Sequence, residues 1–264
     1  MLPAILVLLC FDDAPLIPDA TALMKEVEQH QLKMDEIREN YTYHRIRRTE
    51  ELDGKSEVKK VITQEREIFF VNGHQVGRLV KKDGNPLTDS EEKSEQERVR
   101  KLGENFAKKP VTFGKGGGVN IINLILPVAE TSNPLRIQWK GRPTLQFDFK
   151  GDQKAEAHSI ESKAARKLEG KIWIDEADRQ VARLEVEFYE PFRIAGGLLA
   201  SIQKGTVIKI DQAPIGEGLW MPDESEEHMN MRVVTKGVRQ HVSIKSFDFK
   251  RFNVDAVAGE PARK

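Results

Sequence analysis

The feature that most constrains this 264-residue chain is a period-two alternation of apolar and polar side chains from Leu135 onward. Thr144–Phe149, Lys171–Asp175 and Val181–Phe188 alternate most strictly. Successive side chains of a strand point to opposite faces, so the pattern predicts strands with one wet and one apolar face. Trp173 is expected on the wet side, with Gln146, Arg183 and Glu185. The apolar face is expected to comprise Leu145, Phe147, Phe149, Ile172, Ile174, Leu184, Val186 and Phe188.

The first half of the chain carries two strong hairpin signals, Asp53-Gly54 and Asn72-Gly73. They separate three β-rich segments and predict a three-stranded meander. Asp83-Gly84-Asn85-Pro86 is then expected to break the sheet. The meander segments are Tyr41–Glu50, Glu57–Val71 and Val76–Lys82, and further strands fit Thr206–Asp211, Glu227–Thr235 and Arg239–Phe249.

Helical patterns occur at two places. Asp19 or Thr21 can cap an amphipathic helix that ends near Asn40, and Thr88 stands at capping-box spacing before Glu91 in a charged stretch. The helix before Asn40 presents Leu23, Met24, Val27, Met34 and Ile37 on one face, with only the His30 and Gln31 turn polar there.

The predicted fold class is mainly β (α+β). It is a curved antiparallel sheet, or open half-barrel, of about nine or ten strands, with two or three helices covering the concave face. A sheet this wide must curl, and its apolar face then needs a cover. Besides the helices, the apolar segment Val119–Val128, which follows a glycine-rich loop at Gly114–Gly118, is the other expected cover.

The N-terminus is apolar from Leu2 to Phe11 and then turns acidic at Asp12 and Asp13. This run has the length of a signal-peptide core and is too short to span a bilayer, so export to the periplasm or cell envelope is expected. A buried first strand is the alternative. Because no Lys or Arg precedes the run, a true start upstream of Met1 is also expected. Lipidation of Cys10, the only cysteine, is left open.

The expected organisation is an N-terminal signal or apolar segment over 1–14, one domain over 15–255 and a flexible tail over 256–264. Lys and Arg together number 42, and so do Asp and Glu. A formal net charge of zero gives no long-range attraction to nucleic acid, so no nucleic-acid partner is expected.

No residue set has the spacing of a catalytic, metal or cofactor site. Asp175, Glu176 and Asp178 lack the spaced oxygen ligands of a calcium loop, and we interpret them as a solvated turn. His228 points away from Met229 and Met231 in a strand, so the two methionines are interpreted as core side chains.

One motif resembles a known family. Gly170-Lys171-Ile172-Trp173-Ile174-Asp175, followed by a turn and the strand Val181–Glu185, is similar to the Gly-x-x-Trp-Ile-Asp hairpin of the outer-membrane lipoprotein carrier (LolA-like) superfamily. Lys204-Gly205, Gly218–Pro222 and Phe247–Phe252 follow in the same order, so the resemblance covers about 135–252. It implies an open β-barrel with a helical lid. Members carry lipoproteins or lipids, or sense envelope stress.

This chain departs from the dedicated lipoprotein carriers in its charged segment Lys81–Lys109 and its glycine-rich loop. The expected function is a non-enzymatic periplasmic carrier or sensor whose cavity, lined by the eight apolar residues above, binds an acyl chain, lipid or lipidated peptide. Two alternatives stand beside it: an envelope protein-interaction or stress-regulatory module with a filled core, and an enzyme with its site on loops. The expected partners are a lipid or lipoprotein acyl chain and an envelope protein, with peripheral or no membrane association.

Overall fold

A computed structural model of the chain describes residues 16–107, 121–197, 199–216 and 218–251. The expectations for the apolar N-terminal segment over 1–14, for Cys10, for the glycine-rich loop at Gly114–Gly118 and for the tail over 256–264 lie outside these residues. The assignment of 15–255 to one domain stays a prediction.

Within the described residues, thirteen antiparallel strands form one curved, unclosed sheet. The strand order is β4-β3-β2-β1-β13-β12-β11-β8-β7-β6-β5, with β10 paired to β12 and to β9. The mainly β, antiparallel class is confirmed, but nine or ten strands was too few. The strands are β1 (Tyr41–Leu52), β2 (Val58–Val71), β3 (His74–Lys82), β4 (Asn85–Pro86), β5 (Ala129–Trp139), β6 (Arg142–Gly151), β7 (Leu168–Asp175), β8 (Val181–Phe188), β9 (Phe192–Ile194), β10 (Ala200–Ile202), β11 (Val207–Gly216), β12 (Leu219–Val233) and β13 (Lys236–Arg251).

The Asp83-Gly84 turn signal proved to be part of a hairpin. Asp83 and Gly84 adopt positive φ angles of 50° and 83° and turn β3 back into β4, so the predicted break in the sheet is wrong. In β5, the register shifts between Ser132 and Leu135 around Pro134. Proline lacks the N–H that a central strand needs, and β5 tolerates it because it is the last strand of the sheet.

Four α-helices lie in the described residues: α1 (Ala20–Arg38), α2 (Asp89–Ala107), α3 (Ile121–Ile125) and α4 (Ile160–Ala165), with a 3-10 helix over Leu126–Val128. Asp19 is the N-cap of α1 and accepts a 2.9 Å hydrogen bond from the Ala22 amide. The capping box at α2 is also confirmed, since Thr88 Oγ1 accepts from the Glu91 amide and the Glu91 carboxylate accepts from the Thr88 amide. Within the described residues, no helix is long and apolar enough to cross a membrane.

The helical cover of the sheet is smaller than predicted. Helix α1, helix α3 and the 3-10 helix pack on the main core and together form what we call the lid. The C-terminal part of α1 also contributes Met34 and Ile37 to a second core cluster around Tyr43, Ile68 and Met221.

Helix α2 lies along β3, at the other end of the sheet, and none of its side chains from 89 to 106 is buried. Glu95 Oε1 accepts a 2.6 Å hydrogen bond from the Leu79 amide, and Arg98 Nη2 donates to the Gly77 carbonyl. The Phe106 ring stacks on His74 at 4.0 Å. Side chains of α2 therefore satisfy outward backbone groups of β3.

Candidate functional site

The apolar face predicted from alternation is present. All eight side chains belong to one buried cluster, and each has at most 5% of its surface exposed. The strand register explains the grouping, since Phe147 pairs with Ile172, and Ile172 pairs with Leu184 on the next strand. Directly paired residues share a face of the sheet. Their role as the lining of a ligand site stays a prediction.

The opposite face is less wet than expected. Trp173 points away from the core, yet only 6% of its surface is exposed. The Arg183 guanidinium lies 5.5 Å from the Trp173 ring centre and 4.8 Å from that of Trp139, and Arg183 forms a 2.6 Å ion pair with Asp211. Arg183 therefore lies against two aromatic rings instead of extending into water. Gln146 and Glu185 are partly exposed.

The lid supplies the other side of the cluster. Val27 of α1 and Ile125 of α3 are almost fully buried against the sheet, as is Leu126 of the 3-10 helix. The described part of the predicted cover segment Val119–Val128 is thus confirmed as a cover. The apolar face meets helical segments, with no second sheet packed on it in the described residues.

A buried polar network joins α1 to the sheet, and sequence reasoning missed it. Arg38 Nη2 donates to the Trp220 carbonyl at 2.7 Å and to Gln212 Oε1 at 2.8 Å. Gln31 Nε2 donates to Gln180 Oε1 at 2.7 Å. Gln212 in turn donates to the Val181 carbonyl at 2.9 Å. The polar interruption of the apolar stripe at Gln31 was the one sequence signal of this network.

Asp35 links the two main parts of the lid. Its carboxylate pairs with Arg38 on the same helix and accepts a 2.5 Å hydrogen bond from Asn123 on α3. Because Arg38 also binds the sheet, a displacement of α1 would disturb both the sheet contacts and the contact to α3. We call Gln31, Asp35, Arg38 and Asn123 the polar latch of the lid.

The carboxylate cluster after β7 is not the solvated turn that we predicted. Asp175 is buried, and its oxygens accept from Arg142 Nε at 2.5 Å and from the Asp178 amide at 2.8 Å. Glu176 pairs with Arg136 at 2.6 Å. Burial would raise the pKa of Asp175, but hydrogen bonds from Arg142 and from backbone amides outweigh it, so the pKa lies below its ordinary value. The carboxylates hold the hairpin through arginines.

The two methionines of β12 are less buried than we predicted. Met229 and Met231 are half-buried, so their interpretation as core residues is wrong. His228 is exposed and stacks on His241 at 4.4 Å. Among the described residues, no group of three or more His, Cys, Asp or Glu side chains could hold a metal ion.

The lidded, open antiparallel sheet has structural neighbours among solved proteins, although no family model and no curated protein matches the sequence. One neighbour is a Vibrio parahaemolyticus domain provisionally described as an outer membrane lipoprotein-sorting protein domain, with 10% identity, a TM-score of 0.34, and coverage of 86% of this chain and 92% of that one. Another is a DUF1329 family protein from Desulfovibrio piger, with 10% identity, a TM-score of 0.36, and coverage of 88% and 93%.

The description of the Vibrio neighbour names the same kind of protein as the LolA-like resemblance, at 10% identity to this chain. With TM-scores this low, neither of the two neighbours supports a conclusion about the ligand or activity of this chain.

Proposed function

We propose that the protein is a non-enzymatic carrier or sensor of the bacterial cell envelope that binds an acyl chain, lipid or lipidated peptide between the apolar sheet face and the lid. The observation that carries the proposal is the continuous apolar face of β6, β7 and β8, covered by short helical segments. A cover of this kind can move away from a sheet without breaking any strand pairing. The binding residues are the eight named above, with Phe147 and Leu184 at the centre.

The energetics permit an exchange of lid side chains for an acyl chain. Each buried methylene contributes about 0.8 kcal/mol, so a chain of about 16 carbons gains on the order of 13 kcal/mol before the costs of ordering. Uncovering Ile122, Ile125 and Leu126 costs about 1.5 to 3 kcal/mol each. A long acyl chain can therefore offset the displacement of α3 and the 3-10 helix.

The close packing of the same residues favours a second candidate. Leu145, Phe147, Ile174 and Leu184 are fully buried with the lid in place. If the lid never opens, the interior is a filled core, and the molecule is an envelope protein-interaction or stress-regulatory module. A core that is packed at the density usual for protein interiors has no space for a bound ligand.

Binding of a fluorescent fatty-acid probe to the full chain separates the two candidates. The carrier requires that the wild type binds the probe and that Leu184→Ala weakens binding with a small loss of unfolding free energy. In a filled core, Leu184→Ala costs about 2 to 5 kcal/mol and the wild type binds no probe. Leu135→Ala is the matched control, because Leu135 lies on the edge strand β5 and is exposed. It should change neither quantity.

Export to the periplasm or cell envelope belongs to the same proposal, as do a lipid or lipoprotein ligand and an envelope protein partner. N-terminal sequencing of the mature protein from an envelope fraction tests the location. Recovery of the chain from cytosol with its apolar N-terminal segment intact would contradict export.

A further inference from the structure

The β12–β13 hairpin turn, together with β9 and β10, forms an exposed apolar projection, which we call the tip and define as residues 193–197, 199–202 and 231–236. Leu199 and Val234 expose 60% and 59% of their surface, and Val233 exposes 46%. The Val234 amide donates a 2.9 Å hydrogen bond to the Leu199 carbonyl, which joins the two turns of the tip. Large apolar side chains clustered at a projecting turn mark an interaction site more often than isolated ones do.

Two arginines flank this projection. Arg193 on β9 and Arg232 on β12 each pair with Ser201 on β10, so they lie on one face with a single strand between them. A Cβ added to Gly197 would lie 3.5 Å from Arg193 Cδ and 3.5 Å from Arg232 Nη2, which places both side chains around the same glycine. In the part of the chain that the structure describes, neither guanidinium has a hydrogen-bond or ion-pair partner.

The charged side chains of the tip itself are all basic. They are Arg193, Arg232 and Lys236, and the tip contains no Asp or Glu. The whole chain, in contrast, has 42 residues of each sign. Two adjacent cations without a carboxylate repel each other, and an anion supplied from outside would relieve the repulsion.

We propose that the tip docks the protein on an anionic membrane surface, with Leu199, Val233 and Val234 in the interface and Arg193 and Arg232 on lipid phosphates. An apolar projection flanked by two arginines matches the chemistry of such a surface, which combines accessible hydrocarbon with negative headgroups. A protein partner with a mixed apolar and acidic surface is the outcome to be excluded by experiment.

The tip is continuous with the apolar interior. Phe192, at the start of β9, belongs to the main core cluster, and Ile194 and Ile202 pack against it. An acyl chain leaving the bilayer at the tip would meet this apolar path. The transfer step rests on the proposed carrier function, whereas docking on the membrane does not.

Flotation of the full chain with phosphatidylcholine vesicles, with and without phosphatidylglycerol, tests the docking. The wild type should bind only the anionic vesicles. Each basic residue near such a surface contributes on the order of a fivefold gain in binding, so Arg193→Gln/Arg232→Gln should weaken binding at least tenfold. Leu199→Ser/Val234→Ser should weaken it as well. Lys93→Gln/Lys101→Gln removes two exposed cations from α2 and is the charge-matched control.

Three results would overturn the docking proposal: no binding of the wild type to anionic vesicles, equal binding by the Arg193→Gln/Arg232→Gln variant, or an equal loss in the α2 control. Fatty-acid probe binding measured without vesicles keeps the two proposals separate. The tip variants should retain wild-type probe binding. Vesicle binding without probe binding would refute the carrier and leave the docking intact.

Discussion

The side chains of Gln31 on α1 and Gln180 in the turn between β7 and β8, 149 positions apart, are both fully buried and joined by a 2.7 Å hydrogen bond. A buried amide without its partner costs more than the bond itself contributes. Gln31→Leu and Gln180→Leu should therefore each lower the unfolding free energy by about 1 to 3 kcal/mol. The double variant should lose less than the sum of the two, as urea unfolding can measure. A strictly additive loss would contradict the coupling.

Arg38 should be the most sensitive residue of the polar latch. Arg38→Met keeps the aliphatic stem but removes the hydrogen bonds to Gln212 and the Trp220 carbonyl. Because buried acceptors are then left unpaired, we expect a loss of about 3 kcal/mol and faster amide exchange in α1. Arg47→Met is the control. Arg47 is more exposed and forms a single 3.6 Å ion pair with Glu227, so this change should cost less than about 1 kcal/mol.

Acid should remove the stability that Asp175 supplies. A carboxyl whose pKa is lower in the folded state stabilises the fold above its unfolded pKa of about 3.9 and loses that contribution as the pH falls through the folded value. Asp175→Asn should therefore be destabilised most at neutral pH, and its difference from the wild type should shrink below about pH 4. Unfolding free energies at several pH values measure this. A difference that grows in acid would show that the ion pair with Arg142 does not stabilise the fold.

Gly170 should tolerate no side chain. A Cβ at this position would lie 1.9 Å from the Glu185 carbonyl oxygen on the neighbouring strand, so Gly170→Ala forces β7 and β8 apart. We expect a loss of at least about 3 kcal/mol or failure to fold, seen in a thermal melt. Gly103→Ala is the matched control. It meets no atom within 4 Å and should be neutral or stabilising, since alanine favours helix.

Alternation predicted the central strands well because it is a local consequence of one buried face. β6, β7 and β8 each bury alternate residues against the lid, and the hairpin signal Asn72-Gly73 places the turn between β2 and β3 correctly. The eight apolar residues could therefore be assigned to one face without knowledge of the strand order.

Short strands could not be predicted in the same way. β9 and β10 have three residues each, too few for a period to be recognised. They are strands because β10 pairs with the distant β12. β4 was missed for a related reason, since Asp83 and Gly84 mark a turn but do not say whether the chain pairs after it.

The polar latch could not be predicted from local sequence patterns either. A glutamine on the apolar side of a helix is either exposed to solvent or buried with a hydrogen-bond partner. The sequence around Gln31 does not show which of the two holds. Its partner Gln180 and the acceptor Gln212 of Arg38 come from turns and strands more than 140 positions later. The tip could not be predicted from the sequence either, because Arg193 and Arg232 become neighbours only through the pairing of β9, β10 and β12.

The two edges of the long sheet affect whether copies of the protein can associate at high concentration. An uncovered strand is a template on which a second chain can polymerise. At one end, Glu95 and Arg98 of α2 occupy the outward amide of Leu79 and the outward carbonyl of Gly77. At the other end, Pro134 and the shifted register of β5 interrupt the row of donors. A copy approaching either end meets an interrupted row of donors and acceptors, which disfavours growth of the sheet into a fibre.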